Sequence, residues 1–481
     1  MAKRLKSAKT NWLALAVMLL LVFVPLYPKF PLFNIPGTYV AVRVEDLLVL
    51  GVVLFWLALE LKNGFPVLRD RVSRLILLYL GIGALSLVSA LLITETRALS
   101  PHIALLHWIR RIEYMSLFFV AFASVKEIRN VKSYGLTIFI ATIGVIIYGL
   151  GQKFLAWPVV STMNREFSKG LLLQLTEWAR VNSTFAGHYD LAAYLVMILA
   201  LTIGLIVGLK NKIGKIAVGL IGFFSLYLLV LTASRVSFVA YLIAILFVLL
   251  GLRKYWWIGP VLALSLTLMF LSADFVQRYA QTFNLDLSAI SGRLRLFEKA
   301  EEVEIVQAPV VAEPEKVEVR LQRRSPSPKP TPKEATPAAE VWKPTTEIAV
   351  EYSSRIRFDV EWPRSIRAFR KNPLLGTGYS SVTLATDNDY LRTLAETGLL
   401  GFIAFWLIFL EIGRRVILFF QKEKAGFAKA MVIALSGAAI GLFANAVFID
   451  VFEASKVAFV FWLLMGILVG LMKLPTAKLK T

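Results

Sequence analysis

Long apolar runs joined by short polar connections dominate the chain, and their length is the first clue to its fold. A helix that crosses a bilayer needs about 20 consecutive, mostly apolar residues. The pattern predicts an all-α fold, a polytopic membrane bundle of about 12 transmembrane helices. The candidate runs are 11–28, 44–61, 75–94, 103–124, 134–156, 190–209, 213–232, 236–252, 256–271, 398–419, 427–449 and 456–473.

The fourth run is the least apolar of the twelve. Its first half, HIALLHWIRRIEYM, carries Arg110, Arg111 and Glu113. Charged side chains tend to be placed at the membrane surface, so we expect this half to lie partly in the interface.

Every second connection is rich in Lys and Arg, from the residues before the first run to those after the last. Such residues concentrate in cytoplasmic connections. The alternation predicts an even number of spans and two cytoplasmic termini. The basic connections contain Lys3–Lys9, Arg69–Arg74, Lys126–Lys132, Lys210–Lys215, Arg253–Lys254, Arg414–Lys424 and Lys473–Lys480.

Composition agrees with a polytopic membrane protein rather than a soluble one. The chain has 481 residues, 57% of them hydrophobic, and a mean hydropathy of +0.68. The formal charge of +21 resides largely in the short connections, so it reports orientation and does not indicate nucleic-acid binding. Cysteine is absent, and the three histidines lack metal-ligand spacing, so neither a disulfide nor a metal site is expected. The basic N-terminus precedes an apolar run without a small-x-small cleavage site, which favours an uncleaved first helix.

Two long connections fall on the predicted outer side, at 157–189 and 272–397. The second divides the chain into helices 1–9 (residues 1–271), a large extracytoplasmic loop (272–397) and helices 10–12 (398–481). Its segment 303–350 is rich in Pro, Lys and Glu, which predicts a disordered or extended spacer. We expect amphipathic helices on either side of that insert.

Polar residues collect in four outer stretches, and the first two contain isolated arginines. Residues 179–195 carry Arg180, His188 and Asp190 just before a helix, where Asp190 suits an N-cap and the others suit interfacial anchoring. Arg235 occupies a tight turn between two helices. It either extends into the headgroups or binds a phosphate bidentately.

The other two stretches border the end of the large loop. In residues 353–378, Arg355 and Arg357 begin a basic, amphipathic segment that ends in NPLLGTG. In TDNDYLRTLAETGLLG (386–401), Thr386 and Asp389 fit a capping box, while Gly398 and Gly401 permit close helix packing.

Together these stretches resemble the O-antigen ligase/polymerase family of bacterial membrane glycosyltransferases, which have a GT-C-like layout. In that family a histidine and then Asn or Ser precede nine residues and Gly-x-x-Gly. Here Asp387 and Asn388 precede nine residues and Gly398-Leu-Leu-Gly401, so the spacing matches but Asp387 occupies the histidine position. The segments around Arg180 and Arg235, and NPLLGTG, are similar to further family segments, and the resemblance spans roughly 180–410.

The resemblance implies an inverting, metal-independent glycosyl transfer that needs no cofactor. The donor would be an undecaprenyl diphosphate-linked oligosaccharide, and the acceptor a hydroxyl of a glycan or glycolipid on the outer side of the plasma (inner) membrane. The product would be a surface polysaccharide such as O-antigen, capsule or exopolysaccharide. Because Asp387 replaces the histidine of ligases that act on lipid A core, we expect a polymerase or a ligase for another acceptor.

A diphosphate leaving group needs cations to stabilise its growing charge. Arg180 and Arg235 are the candidates, assisted by Arg355 or Arg357. Asp387 either takes the acceptor proton or orients the acceptor hydroxyl, with Glu396 or Asp389 as substitutes.

Two other functions are compatible with parts of the sequence. A flippase or transporter of lipid-linked saccharides would show internal repeats and polar residues near the midplane, and neither is evident. A structural scaffold for envelope assembly would explain the proline-rich insert but not the arginines and carboxylates on one face.

Overall fold

The structure, a computed structural model, describes residues 11–34, 41–94, 100–160, 172–175, 179–270, 356–382, 386–422 and 426–475. The described chain is mostly helical. Its helices are α1 (Trp12–Leu26), α2 (Val44–Asn63), α3 (Arg71–Leu92), α4 (Pro101–Ser124), α5 (Ile128–Phe154), α6 (His188–Gly208), α7 (Lys212–Leu231), α8 (Arg235–Gly251), α9 (Ile258–Phe270), α10 (Trp362–Lys371), α11 (Asp389–Lys422), α12 (Phe427–Asn445) and α13 (Ser455–Lys473).

Short strands and tight helical turns lie between some of these helices. Strand β1 (Pro31–Asn34) pairs antiparallel with β2 (Ala41–Arg43), and β3 (Val159–Val160) pairs antiparallel with β4 (Leu172–Leu173). A π-helical turn (Ile356–Glu361) leads directly into α10.

Each of the twelve predicted spans falls on a described helix. Seven of the described helices are long and apolar enough to cross a membrane by length and composition: α3, α5, α6, α7, α11, α12 and α13. Three apolar helices, α1, α8 and the α9 segment, are shorter. The chain is therefore a multi-pass helical membrane protein. The exact number of spans, the domain bounds and the sides on which the termini lie stay predictions.

The centre of the bundle is formed by α6 and α13. Almost every side chain of α13 from Ser455 to Leu471 is buried, and α6 is nearly as enclosed. A helix that is apolar on all sides needs neighbours all round, which these two have. Helix α6 packs against α7, α8 and α12, while α13 packs against α4. At the edges α1 packs on α5, and α3 packs on α11.

Ion pairs show which helix termini lie at the same end of the bundle. Asp70, the N-cap of α3, pairs with Arg415 of α11 at 2.9 Å and with Lys473, the last residue of α13, at 3.7 Å. The start of α3 and the ends of α11 and α13 therefore lie together, as the alternation of basic connections predicts.

The charges in the middle of α4 are engaged by neighbouring segments of the protein. Arg110 pairs with Asp46 at 3.2 Å, and Arg111 pairs with Glu453 in the connection between α12 and α13. The guanidinium of Arg111 also donates to the carbonyl oxygen of Phe452. Arg111 is buried, so its charge is satisfied by other groups of the protein.

Candidate active site

Helix α11 is broken at Gly398, and the segment 373–378 fills the break. The backbone N–H groups of Leu399 and Leu400 donate to the carbonyl oxygens of Pro373 and Leu374, at 2.8 and 3.2 Å. Conversely, the N–H of Gly378 donates to the carbonyl of Glu396 at 3.0 Å. A helix break inside an apolar environment needs such partners because unpaired backbone groups are costly there. The NPLLGTG and GLLG segments are thus joined to each other by backbone hydrogen bonds.

Two glycines make this interlock possible. Gly398 has φ of +65°, and a Cβ there would lie 2.3 Å from the carbonyl oxygen of Leu374. Gly376 has φ of +72°, and its Cβ would lie 2.5 Å from the carbonyl of Glu396. Both positions combine a left-handed backbone with direct backbone contact, which only glycine accommodates without strain. The predicted role of Gly398 in helix packing is replaced by this more specific one.

The turn before α11 is held by Asp450. Its carboxylate accepts hydrogen bonds from the backbone N–H groups of Thr386, Asp387 and Asn388, at 2.8, 3.1 and 3.1 Å. These bonds stabilise the left-handed conformation of Asp387, whose φ is +49°.

The residue that caps α11 is Asn388. Its Oδ1 accepts from the N–H groups of Tyr390 and Leu391, at 3.0 and 2.9 Å. The predicted capping box of Thr386 and Asp389 is therefore wrong: Asp389 accepts instead from the N–H of Phe452 at 3.1 Å. Because Asn388 performs the capping, the carboxylate of Asp387 is available for another role.

Asp387 forms an ion pair with Arg357. The Nε of Arg357 donates to Oδ2 of Asp387 over 2.7 Å, with 14% of the arginine side chain and 31% of the aspartate side chain exposed. Burial raises the pKa of the Asp387 carboxyl above its usual value, and the adjacent Arg357 opposes that rise. The pair is thus partly shielded from solvent yet accessible from one side.

Tyr189 joins Arg180 to this pair. Its side chain interacts with the guanidinium groups of both Arg180 and Arg357, and the Arg180 guanidinium lies 5.9 Å from the centre of its ring. Arg180 contacts Nε2 of His188 at 2.5 Å. The structure therefore brings Arg180, Arg357 and Asp387 into one chain of contacts through Tyr189, which we call the Tyr189 cluster.

Behind the Tyr189 cluster lies a buried ionic layer centred on Arg392. Its guanidinium is 3.0 Å from Asp450, 3.8 Å from Glu453 and 3.9 Å from Glu396. The Oε1 of Glu396 also accepts from the N–H of Ser380 at 3.0 Å. Asp389 and Glu396 are both buried, so the structure places these two predicted site residues one layer below Asp387.

Asp190 faces a different set of charges from Tyr189. It lies in the first turn of α6, whose N-cap is Gly187, so the predicted capping role of Asp190 is wrong. Its carboxylate is 3.9 Å from Nζ of Lys29. Nearby, the fully buried Lys456 donates to the carbonyl oxygens of Tyr27 and Thr184 at 2.5 and 2.7 Å. These contacts fix the start of α6 and thereby the position of Tyr189.

The remaining predicted arginines are placed differently. Arg235 is the first residue of α8, directly after the Ser234 N-cap, and is half-buried with interactions of its own. Helix α8 packs against α6 and, like α6, starts at the outer end in the predicted orientation. Arg355 and the insert 303–350 lie outside the described residues.

Sequence reasoning missed Tyr189, Asp450 and Glu453. Tyr189 lies between His188 and Asp190, the two residues of this segment that stand out in the sequence as ionisable groups. Asp450 and Glu453 occur in the short connection FIDVFEAS on the predicted outer side, and two carboxylates between apolar helices were the available signal.

The Tyr189 cluster presents two guanidinium groups beside one accessible carboxylate. Arginines held by ordered partners suit bidentate recognition of phosphate oxygens. Among the described residues, no group of three or more His, Asp or Glu side chains is arranged to hold a metal ion. The arrangement can therefore bind an anionic group next to a carboxylate able to engage a hydroxyl.

Comparison with known proteins adds independent evidence. Residues 220–406 match the family model described as O-antigen ligase. The resemblance to the O-antigen ligase/polymerase family is confirmed. The matched part includes Arg235, Arg357 and Asp387, whereas Arg180 precedes it. No protein with a curated description matches the chain. The O-antigen ligase match and the apolar helices together indicate a membrane glycosyltransferase-type role in surface polysaccharide biosynthesis.

Proposed function

We propose that the protein transfers an oligosaccharide from an undecaprenyl diphosphate carrier to a sugar hydroxyl on the outer side of the plasma membrane. The acceptor is a growing glycan or a glycolipid other than lipid A core. The observation that carries this proposal is the Tyr189 cluster, because it holds two arginines and a carboxylate together at the outer end of the bundle in the predicted orientation.

Arg180 and Arg357 bind the diphosphate of the donor in this proposal. Both are restrained by Tyr189, and Arg357 is further restrained by Asp387. Restrained cations stabilise a developing negative charge without having to reorganise during the reaction. Arg235 and Arg355 further stabilise the negative charge of the diphosphate leaving group.

The reaction we propose inverts the anomeric centre and uses no metal ion. The acceptor oxygen forms a bond to the anomeric carbon from the side opposite the diphosphate, and the bond from that carbon to the phosphate oxygen breaks. The arginines take over the charge stabilisation that a metal would otherwise provide.

Asp387 orients the acceptor hydroxyl. Its accessible carboxylate lies beside Arg357, so a hydroxyl bound to it would be adjacent to the donor phosphate. Asp389 and Glu396 act as positioning residues, since they are buried with Arg392 beneath the turn that presents Asp387.

The deciding experiment is turnover by the purified protein in detergent or nanodiscs with an undecaprenyl diphosphate-linked oligosaccharide. Electrophoresis of the products distinguishes lengthening chains, expected of a polymerase, from transfer to a different added acceptor, expected of a ligase. Movement of the lipid-linked sugar between leaflets without any new glycosidic bond would instead identify a flippase and overturn the proposal.

A further inference from the structure

Glu361 is a carboxylate that the sequence patterns did not single out. It is the last residue of the π-helical turn Ile356–Glu361, which also carries Arg357, and it directly precedes α10. One of its carboxylate oxygens, Oε2, is buried and has no hydrogen-bond partner among the described residues. A buried acceptor without a donor is costly, which suggests that another molecule provides the hydrogen bond.

The neighbouring residue has the complementary feature. Nε1 of Trp362 is a buried donor that likewise has no partner among the described residues. Its ring is fixed against Phe358 at 4.8 Å and Phe448 at 5.9 Å, so it cannot turn freely toward solvent. A molecule with hydroxyl groups, such as a sugar, has both the donor that Glu361 needs and the acceptor that Trp362 needs.

The charges around Glu361 are those of the Tyr189 cluster and of the ionic layer beneath it. Two carboxylates, Asp387 and Asp450, and two guanidinium groups, Arg357 and Arg392, act on it. Burial and the two carboxylates raise the pKa of Glu361 to about 7, despite the opposing effect of the arginines. A carboxylate in this range accepts protons efficiently at neutral pH.

We propose that Glu361 is the general base that accepts the proton of the acceptor hydroxyl. The proposal rests on the proposed glycosyl transfer and assigns its proton step. As the acceptor oxygen bonds to the anomeric carbon, its proton passes to the carboxylate of Glu361. The electron pair of the broken carbon–oxygen bond leaves with the lipid diphosphate. The Glu361 proton is then released to water before the next turnover.

This assignment separates the roles of two carboxylates. Oδ2 of Asp387 is already occupied by Arg357 over 2.7 Å, so proton uptake there would weaken the ion pair that restrains the arginine. Oε2 of Glu361 has no such bond to lose. Glu361 is thus the better proton acceptor, while Asp387 positions Arg357 and the acceptor.

The test is the pH dependence of transfer in three variants of the full-length protein. Wild-type activity should rise with pH and level off above about 7, because the base must be deprotonated. Glu361→Gln should lower the plateau by about 100-fold or more and abolish this rise. Asp359→Asn changes an exposed carboxylate on the same turn and should leave the profile unchanged.

The third variant, Asp387→Asn, should transfer more slowly yet retain the rise near neutral pH. Loss of the rise in Asp387→Asn, together with its retention in Glu361→Gln, would overturn the assignment and make Asp387 the base. Thermal stabilisation by added undecaprenyl diphosphate should be the same in Glu361→Gln as in the wild type, showing that the donor still binds.

Glu361→Asp serves if Glu361→Gln does not fold. It keeps a carboxylate at a shorter reach, so it should retain the pH rise at a lower plateau; an unchanged plateau would overturn the proposal. A wild-type protein that forms no glycosidic bond would overturn the proposed function as well. Transfer by the wild type and equal transfer by Glu361→Gln would overturn only the role of Glu361.

Discussion

Nε of Arg357 lies 2.7 Å from Oδ2 of Asp387, which joins the turn before α10 to the turn before α11. The two residues are 30 positions apart in the sequence, and each is also tied to another segment. Arg357 interacts with Tyr189 of α6, and the backbone N–H of Asp387 donates to the carboxylate of Asp450. The ion pair thus lies where four segments of the chain meet.

Arg357→Ala should reduce the rate of transfer by about 100-fold or more, the usual effect of removing one group that stabilises a developing charge. The measurement is the initial rate with a lipid diphosphate-linked donor. Arg367→Ala is the matched control, because Arg367 is exposed on the nearby α10. Equal rates in both variants would remove Arg357 from the site.

Asp387→Asn should reduce transfer by about 10- to 100-fold, since a charge-assisted hydrogen bond contributes about 1.5–3 kcal/mol. Asn tolerates the left-handed backbone at this position, so the turn should be retained. Asn388→Ala tests the capping role separately: it should cost about 1 kcal/mol of stability. Wild-type turnover in Asp387→Asn would show that this charge has no part in the reaction.

Arg235→Ala should abolish full-length surface glycan without loss of the protein from the membrane. The variant removes a guanidinium from the first turn of α8, which packs on α6. Electrophoresis of the polysaccharide and immunoblots of the membrane fraction provide the two readouts. Lys254→Ala, in the exposed turn that follows the other end of α8, should give a normal ladder. A normal ladder in Arg235→Ala would contradict the assignment of Arg235.

Gly398→Ala should lower the free energy of unfolding by about 2 kcal/mol or more, because a left-handed backbone is strained at a residue other than glycine. The added Cβ would also approach the Leu374 carbonyl oxygen. Gly413→Ala is a matched control in the same helix, where a Cβ would meet nothing within 4 Å. Unfolding in detergent, followed by loss of monodisperse protein on heating, provides the comparison. Similar thermal unfolding midpoints for the two variants would show that the pairing of segment 373–378 with the break in α11 does not need glycine at position 398.

Lys456→Met should destabilise the fold by about 3 kcal/mol, because a buried carbonyl oxygen left without a donor costs about 1–3 kcal/mol. The variant preserves the length of the side chain but removes the donor shared by three carbonyl oxygens. Lys371→Met, on the exposed end of α10, should have little effect. The same thermal measurement checks both, and a stable Lys456→Met would show that the buried amine is dispensable.

The helical membrane architecture follows from local properties of the sequence. Apolar runs long enough for a bilayer have few alternatives to helix, because every backbone group must be paired within its own segment. For the same reason, the twelve predicted runs all fall on described helices. The spacing from Asp387 to Gly401 also indicated the family, since motif spacing is a local property of the chain.

Which polar residues act together depends on how the helices pack. Asp387 and Asp389 differ by two positions, yet one faces Arg357 and the other is buried against Phe452, because the turn at 386–388 and the helix that follows present them in different directions. Tyr189, Asp450 and Glu361 gained their importance from contacts with distant segments, and no local pattern records such contacts. Capping was misassigned at Asp389 and Asp190 for the same physical reason: a carboxylate near a helix start binds whichever donor the fold brings closest.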